Sequence, residues 1–229
     1  MPNIRFVLPL VWRLIMPRAF AELTFTPAVK SAQTRYGSRE ANQGFEQATD
    51  PRNELTSREM AFIAERNSFY QATVNEAGWP YVQHRGGARG FLKALDSRTL
   101  GYADFSGNRQ YLSVGNMTAN NRISLFLMDY PNKRRLKLWG TTQIIHADDY
   151  PELLAQLEMP DYRAPVERGI LIRVEAWDWN CPKHITPRYS EDELTEQLGA
   201  LHQQIAELKM QLQNQQRSLR TGGAEQFKP

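Results

Sequence analysis

Phe69-Tyr-Gln-Ala-Thr-Val-Asn-Glu-Ala-Gly-Trp-Pro-Tyr-Val-Gln83 decides the fold class. Its first six residues are rich in β-branched and aromatic side chains, Glu76-Ala-Gly78 reads as a turn, and extended structure resumes at Trp79, so the two halves form a hairpin. Further strands follow at Phe91-Leu-Lys-Ala-Leu95, Thr99-Leu-Gly-Tyr-Ala103, Ile123-Ser-Leu-Phe-Leu-Met128, Leu136-Lys-Leu-Trp-Gly-Thr-Thr-Gln-Ile-Ile145 and Gly169-Ile-Leu-Ile-Arg-Val-Glu-Ala-Trp177. Helices are sparse. Thr56-Ser-Arg-Glu59 is a capping box that opens a helix through about residue 66, and a short helix fits 149–157. Six or seven strands with so few helices between them predict a mainly-β chain with flanking helices, built on a six-stranded antiparallel split barrel rather than an alternating βαβ sheet.

Both ends of the chain read differently from this middle. The 229 residues are 41% hydrophobic, enough for one core with appendages. Residues 1–50 have little periodicity, and Gly37-Ser38, Asn42 and Gly44 read as turns, so this segment is expected to be an arm along the main domain. Phe6-Val-Leu-Pro-Leu-Val-Trp-Arg-Leu-Ile-Met16 follows Arg5, and Ala19-Phe-Ala21 resembles a cleavage site, which fits either a secretory signal or an upstream extension with Met16 as an alternative start. Pro9 and Arg13 interrupt the run, and it is too short to span a bilayer; the extension and a cytoplasmic location are the expectation. At the other end Leu194, Leu198, Leu201, Ile205, Leu208 and Leu212 alternate steps of four and three behind a second capping box, Ser190 with Glu193. This 190–220 helix fits a two-chain coiled coil or an amphipathic helix on its own domain; the narrow stripe and polar flanks, mostly glutamine, favour the coiled coil. The expected division is an arm over 1–50, a barrel domain over 51–189, this helix, and a disordered tail over 221–229.

Charge and cysteine content exclude several classes of function. A net charge of +3 without a basic stripe argues against a nucleic-acid binder, but is compatible with small anionic ligands held by local arginines. Cys181 is the single cysteine, so there is no internal disulfide and no Cys-rich zinc site. Cys181 and His184 lack further ligands nearby, and no metal is expected.

Two clusters carry chemistry. In His84-Arg-Gly-Gly-Ala-Arg-Gly-Phe-Leu-Lys93 the glycines permit close backbone approach to a ligand, and Arg85, Arg89 and Lys93 offer charge-assisted bonds to phosphate. The competing reading is a glycine-rich hairpin with solvated arginines. In Asp104-Phe-Ser-Gly-Asn-Arg-Gln-Tyr111, Gly107 permits a tight turn, and Asn108, Arg109 and Gln110 gather donors at a helix start, a favoured anion position; an ordinary Gly-Asn turn explains the same residues.

The order of these motifs, continued by Asn120-Asn-Arg-Ile-Ser-Leu-Phe-Leu and Arg135-Leu-Lys-Leu-Trp-Gly140, resembles the pyridoxamine 5'-phosphate oxidase-like family of FMN-binding split barrels. More closely, it resembles the uncharacterised branch with a His-Arg-Gly-Gly motif and a Trp-Asn-Cys-Pro-Lys-His stretch. The resemblance implies a homodimer with FMN at the subunit interface. It implies cofactor contacts from His84, Arg85 and Lys93, from Asn108, Arg109 and Gln110 in place of the family's Ser-Arg-Lys turn, and from Arg135, where the family has a ring-contacting glutamine. A cation beside the flavin raises its potential. The substrate motif of the true oxidase is replaced by Trp177-Asp-Trp-Asn-Cys-Pro-Lys-His-Ile-Thr-Pro-Arg188. There Trp179, Asn180, Lys183 and Arg188 fit either a different substrate pocket or a Pro-bounded turn, with His184 the candidate acid or base. The implied function is FMN-dependent oxidoreduction of an unknown substrate, with NAD(P)H or another small-molecule redox partner and neither nucleic acid nor membrane. The alternatives are a non-catalytic flavin carrier and a ligand-free dimeric scaffold.

Overall fold

The computed structural model describes residues 17–222 apart from 49 and 180, and the side chains at 196, 197 and 217–222 are outside the description. The predicted signal or extension over 1–16 and most of the predicted tail therefore lie outside the described residues. The chain divides into two compact units, Met1–Asp129 with Lys133–Lys183, and Tyr130–Asn132 with His184–Pro229.

The first unit opens with three short helices, α1 (Ala19–Thr24), α2 (Pro27–Arg35) and α3 (Arg39–Glu46). They correct the expectation of loops here: Asn42 and Gly44 sit inside α3, and only Gly37, with φ of +72°, makes a turn. The local signal for α2 is a Thr26 N-cap accepting from the Val29 amide at 3.3 Å, followed by Pro27. What fixes the arm is aromatic. Phe20 packs edge-on to Phe25 and Phe45, and its ring lies 5.6 Å from that of Trp139. Tertiary packing overrides weak propensity here.

Helix α4 (Ser57–Ala64) has the predicted capping box: the Thr56 hydroxyl accepts from the Arg58 amide, and the Thr56 amide donates to Glu59 Oε2 at 3.2 Å. The strands are β1 (Ser68–Val74), β2 (Pro80–Gly86), β3 (Lys93–Ala94), β4 (Thr99–Phe105), β5 (Arg122–Asp129), β6 (Arg134–Ile145) and β7 (Val166–Trp179). Helix α5 (Leu112–Ala119) separates β4 from β5, and α6 (Pro151–Leu157) separates β6 from β7. All pairings are antiparallel, in the order β2-β1-β5-β6-β7-β4-β3. Six longer strands thus carry the sheet, and a two-residue β3 ends it. The predicted strand at 91–95 shrinks to β3 because Gly90, at φ of +78°, turns the chain just before it. A bond from Arg85 on β2 to Asp104 on β4 joins one end of the sheet to the strand beside its other end, so the sheet curls into a barrel split between them.

Alternation along the strands fills the interior. Leu125 and Leu127 of β5 face Leu138 and Leu136 of β6, with Phe69, Phe91, Leu100, Tyr102, Ile170 and Ile172 in the same buried cluster. At Gly140 the β6–β7 register shifts, and an added Cβ would lie 2.4 Å from the Arg173 carbonyl oxygen. Only glycine allows that approach.

The second unit contains α7 (Glu191–Gly222). Its start carries the predicted capping box, with the Ser190 amide donating to Glu193 Oε2 at 2.8 Å and the Glu193 amide to Ser190 Oγ at 3.3 Å. The helix runs two residues past the predicted end at 220, and Leu194, Leu198, Leu201, Ile205, Leu208 and Leu212 are all exposed. Among the described residues no helix is long and apolar enough to cross a membrane.

Candidate functional site

Side chains on β2 alternate, so Tyr81, Gln83 and Arg85 share the half-buried face while Val82 and His84 point outward. Across the split stand Tyr102 and Asp104 of β4, both buried, and the loop from Gly107 to Tyr111 leads into α5. These elements enclose a cavity of about 250 Å³, whose walls include Gln83, Arg85, Asp104, Asn108, Arg109 and Tyr111. A smaller cavity of about 160 Å³ shares Arg85 and is walled by His84, Phe91, Tyr102 and Phe105.

The loop geometry explains why donors gather there. Asn108 Oδ1 accepts from the Gln110 amide at 3.2 Å, a local side-chain turn. Arg109 and Tyr111, with φ of +58° and +53°, are both left-handed. Non-glycine residues in that region are strained, and the strain collects at functional sites. Tyr111 occupies the N-cap of α5 and supplies no side-chain cap, so the first-turn amides carry the positive end of the helix dipole toward the cavity mouth. Ser113 on that turn donates instead to Gln83 Oε1 at 2.7 Å, tying the helix to β2.

The charged wall is an ion cluster. Arg85 Nη1 donates to Asp104 Oδ1 at 2.5 Å, and Arg168 Nε of β7 lies 3.5 Å from Asp104 Oδ2. Arg168 also bonds to its neighbour Glu167. Burial pushes the Asp104 carboxyl above the ordinary range, against the opposite pull of Arg85 and Arg168. Glu167 moves down, held by hydrogen bonding to Ser106 and then by the Arg168 charge and Tyr111. Arg109 is exposed and donates to the Tyr111 hydroxyl at 3.2 Å.

Of the predicted cofactor residues, Arg85, Asn108, Arg109 and Gln110 line the larger cavity, and His84 lines the adjoining one. Lys93 and Arg135 line neither. The Lys93 ammonium donates to the carbonyls of Gln156 and Glu158 at 2.6 and 2.9 Å, closing the C-terminal end of α6. Arg135 Nη2 donates to the Cys181 carbonyl at 3.2 Å, and its guanidinium lies over the Phe126 ring. Of the glycines of the first cluster, Gly86 lines the adjoining cavity, a Cβ on Gly87 would lie 2.7 Å from the Phe91 ring, and one on Gly90 would lie 3.1 Å from the Ala64 carbonyl. Arg89 pairs with Glu65 at 3.0 Å.

The predicted substrate residues Trp179 and Lys183 lie in the first unit. Trp179 Nε1 donates to Glu59 Oε1 at 2.7 Å and its ring packs edge-on to Phe62, so the indole belongs to the core. Asn180 lies outside the described residues. The Lys183 amide donates to Cys181 Sγ at 3.5 Å. His184, left-handed at φ of +62°, and Arg188, stacked over Tyr130, belong to the second unit. Among the described residues no group of three or more His, Cys, Asp or Glu is arranged to hold a metal ion.

Asp104 heads the second sequence cluster without a role assigned to it there, and sequence reasoning missed Glu167 and Arg168 beside it. It also missed a polar cavity of about 580 Å³ bounded by Arg52, Arg58, Glu59, Arg98 and Trp177. The β4–β7 register sets Asp104 opposite Arg168, and no local motif signals it.

The family model described as Pyridoxamine 5'-phosphate oxidase matches residues 55–178, more than half the chain. No curated protein matches the chain. Among solved structures, a candidate pyridoxamine 5'-phosphate oxidase from Lactobacillus delbrueckii is 24% identical, over 55% of this chain and 94% of its own, with a TM-score of 0.43. HupZ of Group A Streptococcus is 19% identical over 59% and 100%, with a TM-score of 0.42. An FMN-binding protein from Syntrophomonas wolfei is 11% identical over 67% and 95%, also with a TM-score of 0.42.

Proposed function

The chain belongs to the pyridoxamine 5'-phosphate oxidase family, and from that premise we propose that it holds flavin mononucleotide in the cleft between β2, β4 and α5 and acts as an oxidoreductase. One observation carries the reading: Arg85, Arg109 and the uncapped first turn of α5 meet in a single cavity. Guanidinium groups, helix N-terminal amides and the side chains of Asn108 and Gln110 are donors of the kind a phosphate requires. The adjoining cavity has aromatic walls at Phe91, Tyr102 and Phe105, which suit a planar ring. Bound flavin would supply the capacity to accept or deliver a hydride. The chain's own part is to anchor the phosphate through Arg109 and the α5 amides, and to shield the ring from water with the barrel wall. Substrate and electron donor are small molecules, NADH or NADPH being the donors to test.

The purified protein should carry flavin that is released as FMN on denaturation, and FMN should bind with higher affinity than riboflavin. Protein that is colourless and cannot be loaded leaves the ligand-free scaffold standing. Reduction of the bound flavin by NADH or NADPH, followed by reoxidation with an acceptor, separates an enzyme from a carrier.

The partner in this reading is a second copy of the chain, with FMN at the interface. Two exposed surfaces support it. One is the β1–β2 hairpin, where Tyr70, Trp79 and Val82 are solvent-exposed; the other is the leucine stripe of α7. The stripe keeps a strict four-three spacing with largely uncharged flanks, which fits a coiled-coil partner of the same period. Light scattering on the full chain should give a dimer. Truncation after Tyr189 should weaken it, and an unchanged assembly would leave the barrel as the sole dimerisation element.

A further inference from the structure

Asp104 stands at the wall of the cavity of about 250 Å³ between β2, β4 and α5 yet is only 4% exposed. It is shared by two cations from different strands: Arg85 of β2 bonds one carboxyl oxygen, and Arg168 of β7 approaches the other. Both guanidinium groups are themselves mostly buried, and the Nε of each is buried without a hydrogen-bond partner. Arg85 lies at the split of the barrel, where β2 has no neighbouring strand on that side to hold it. Without a counter-charge, two guanidinium groups drawn toward one point would repel each other and turn to solvent.

We infer that Asp104 is a positioning residue: it draws Arg85 across the split and keeps it beside Arg168, so that the cavity presents a fixed guanidinium edge to an anion and selects a phosphorylated flavin over an unphosphorylated one. The inference rests on the flavin reading above and adds to it the residue that sets phosphate selectivity. A purely stabilising role fits the observations less well. Burial raises the Asp104 carboxyl despite two neighbouring arginines, so its ionised form disfavours folding.

The test compares FMN, riboflavin and inorganic phosphate binding to the full chain and to Asp104→Asn, alongside thermal melts. Asp104→Asn should bind FMN at least about tenfold more weakly while riboflavin affinity changes less than about twofold, both measured below the variant's own melting transition. Should that variant fail to fold, Asp104→Asn with Arg168→Gln removes one cation along with the anion and supports the same comparison. Unchanged FMN affinity, or equal losses for FMN and riboflavin, overturns the inference and leaves flavin binding intact. A parent chain that takes neither FMN nor phosphate overturns both.

Discussion

Replacing Trp179 with phenylalanine separates a core indole from a substrate-pocket one. Its N–H reaches Glu59 Oε1 at 2.7 Å, and Glu59 is 1% exposed, with Thr56 as its other partner. Phenylalanine keeps the edge-on contact with Phe62 but leaves that carboxyl oxygen buried without a donor. An unmet buried acceptor costs about 2 kcal/mol, and the lost indole volume adds about 1 kcal/mol. For a domain of this size, a total of about 3 kcal/mol lowers the melting temperature by roughly 6–12 °C. Circular dichroism melts and urea titrations give both quantities. A double-mutant cycle with Glu59→Leu isolates the bond: removing both partners should cost about 1–2 kcal/mol less than the sum of the two single changes. Additive losses, or a Trp179→Phe protein that melts within about 2 °C of the parent but fails in flavin turnover, would refute the assignment and return Trp179 to a substrate pocket.

Charge reversal at Arg109, exposed at the cavity mouth, should weaken FMN binding by about thirtyfold and flatten its salt dependence; unchanged affinity by fluorescence titration would remove this loop from the phosphate site. Gly140→Ala drives a methyl group to within 2.4 Å of the Arg173 carbonyl and should cost about 3 kcal/mol or more, read from urea unfolding; a neutral result would mean that β6 and β7 do not approach so closely. Asp104 faces Arg85, Arg168, Glu167 and Tyr102, and its carboxyl is raised in the folded chain, so the folded state holds the proton more tightly than the unfolded one. The stability it adds is fully present below its ordinary value of 3.8 and is lost as pH rises through the raised one. Melts from acid toward neutral pH should therefore fall for the parent relative to Asp104→Asn, and parallel curves would contradict the shift.

What was legible in the sequence was mostly local or periodic. Both capping boxes form because they depend on side chains three residues apart. The hairpin forms because β-branched and aromatic runs flank Asn75 to Gly78, where the Gly78 amide closes the turn onto the Asn75 carbonyl at 2.9 Å. The loop at Asn108 to Gln110 was legible through its donor density. The ion cluster behind it was not, because Asp104 meets Arg168 only through the register of strands distant in the sequence. Resemblance marked the positions of Lys93 and Arg135 but not the direction of their side chains, which turn to backbone carbonyls of α6 and of Cys181. Of the Gly-Gly pair, Gly86 lines the smaller cavity while Gly87 makes room for the Phe91 ring, and the sequence alone does not separate the two roles. In the arm, the Phe20 cluster supplies through packing the order that helix propensity alone did not signal.

The most direct test of the central claim is the visible absorption spectrum of the purified chain, followed by identification of whatever denaturation releases. The account predicts the two flavin bands, FMN as the released species, and about one FMN for each chain after loading. A colourless protein that stays colourless when incubated with excess FMN would contradict it.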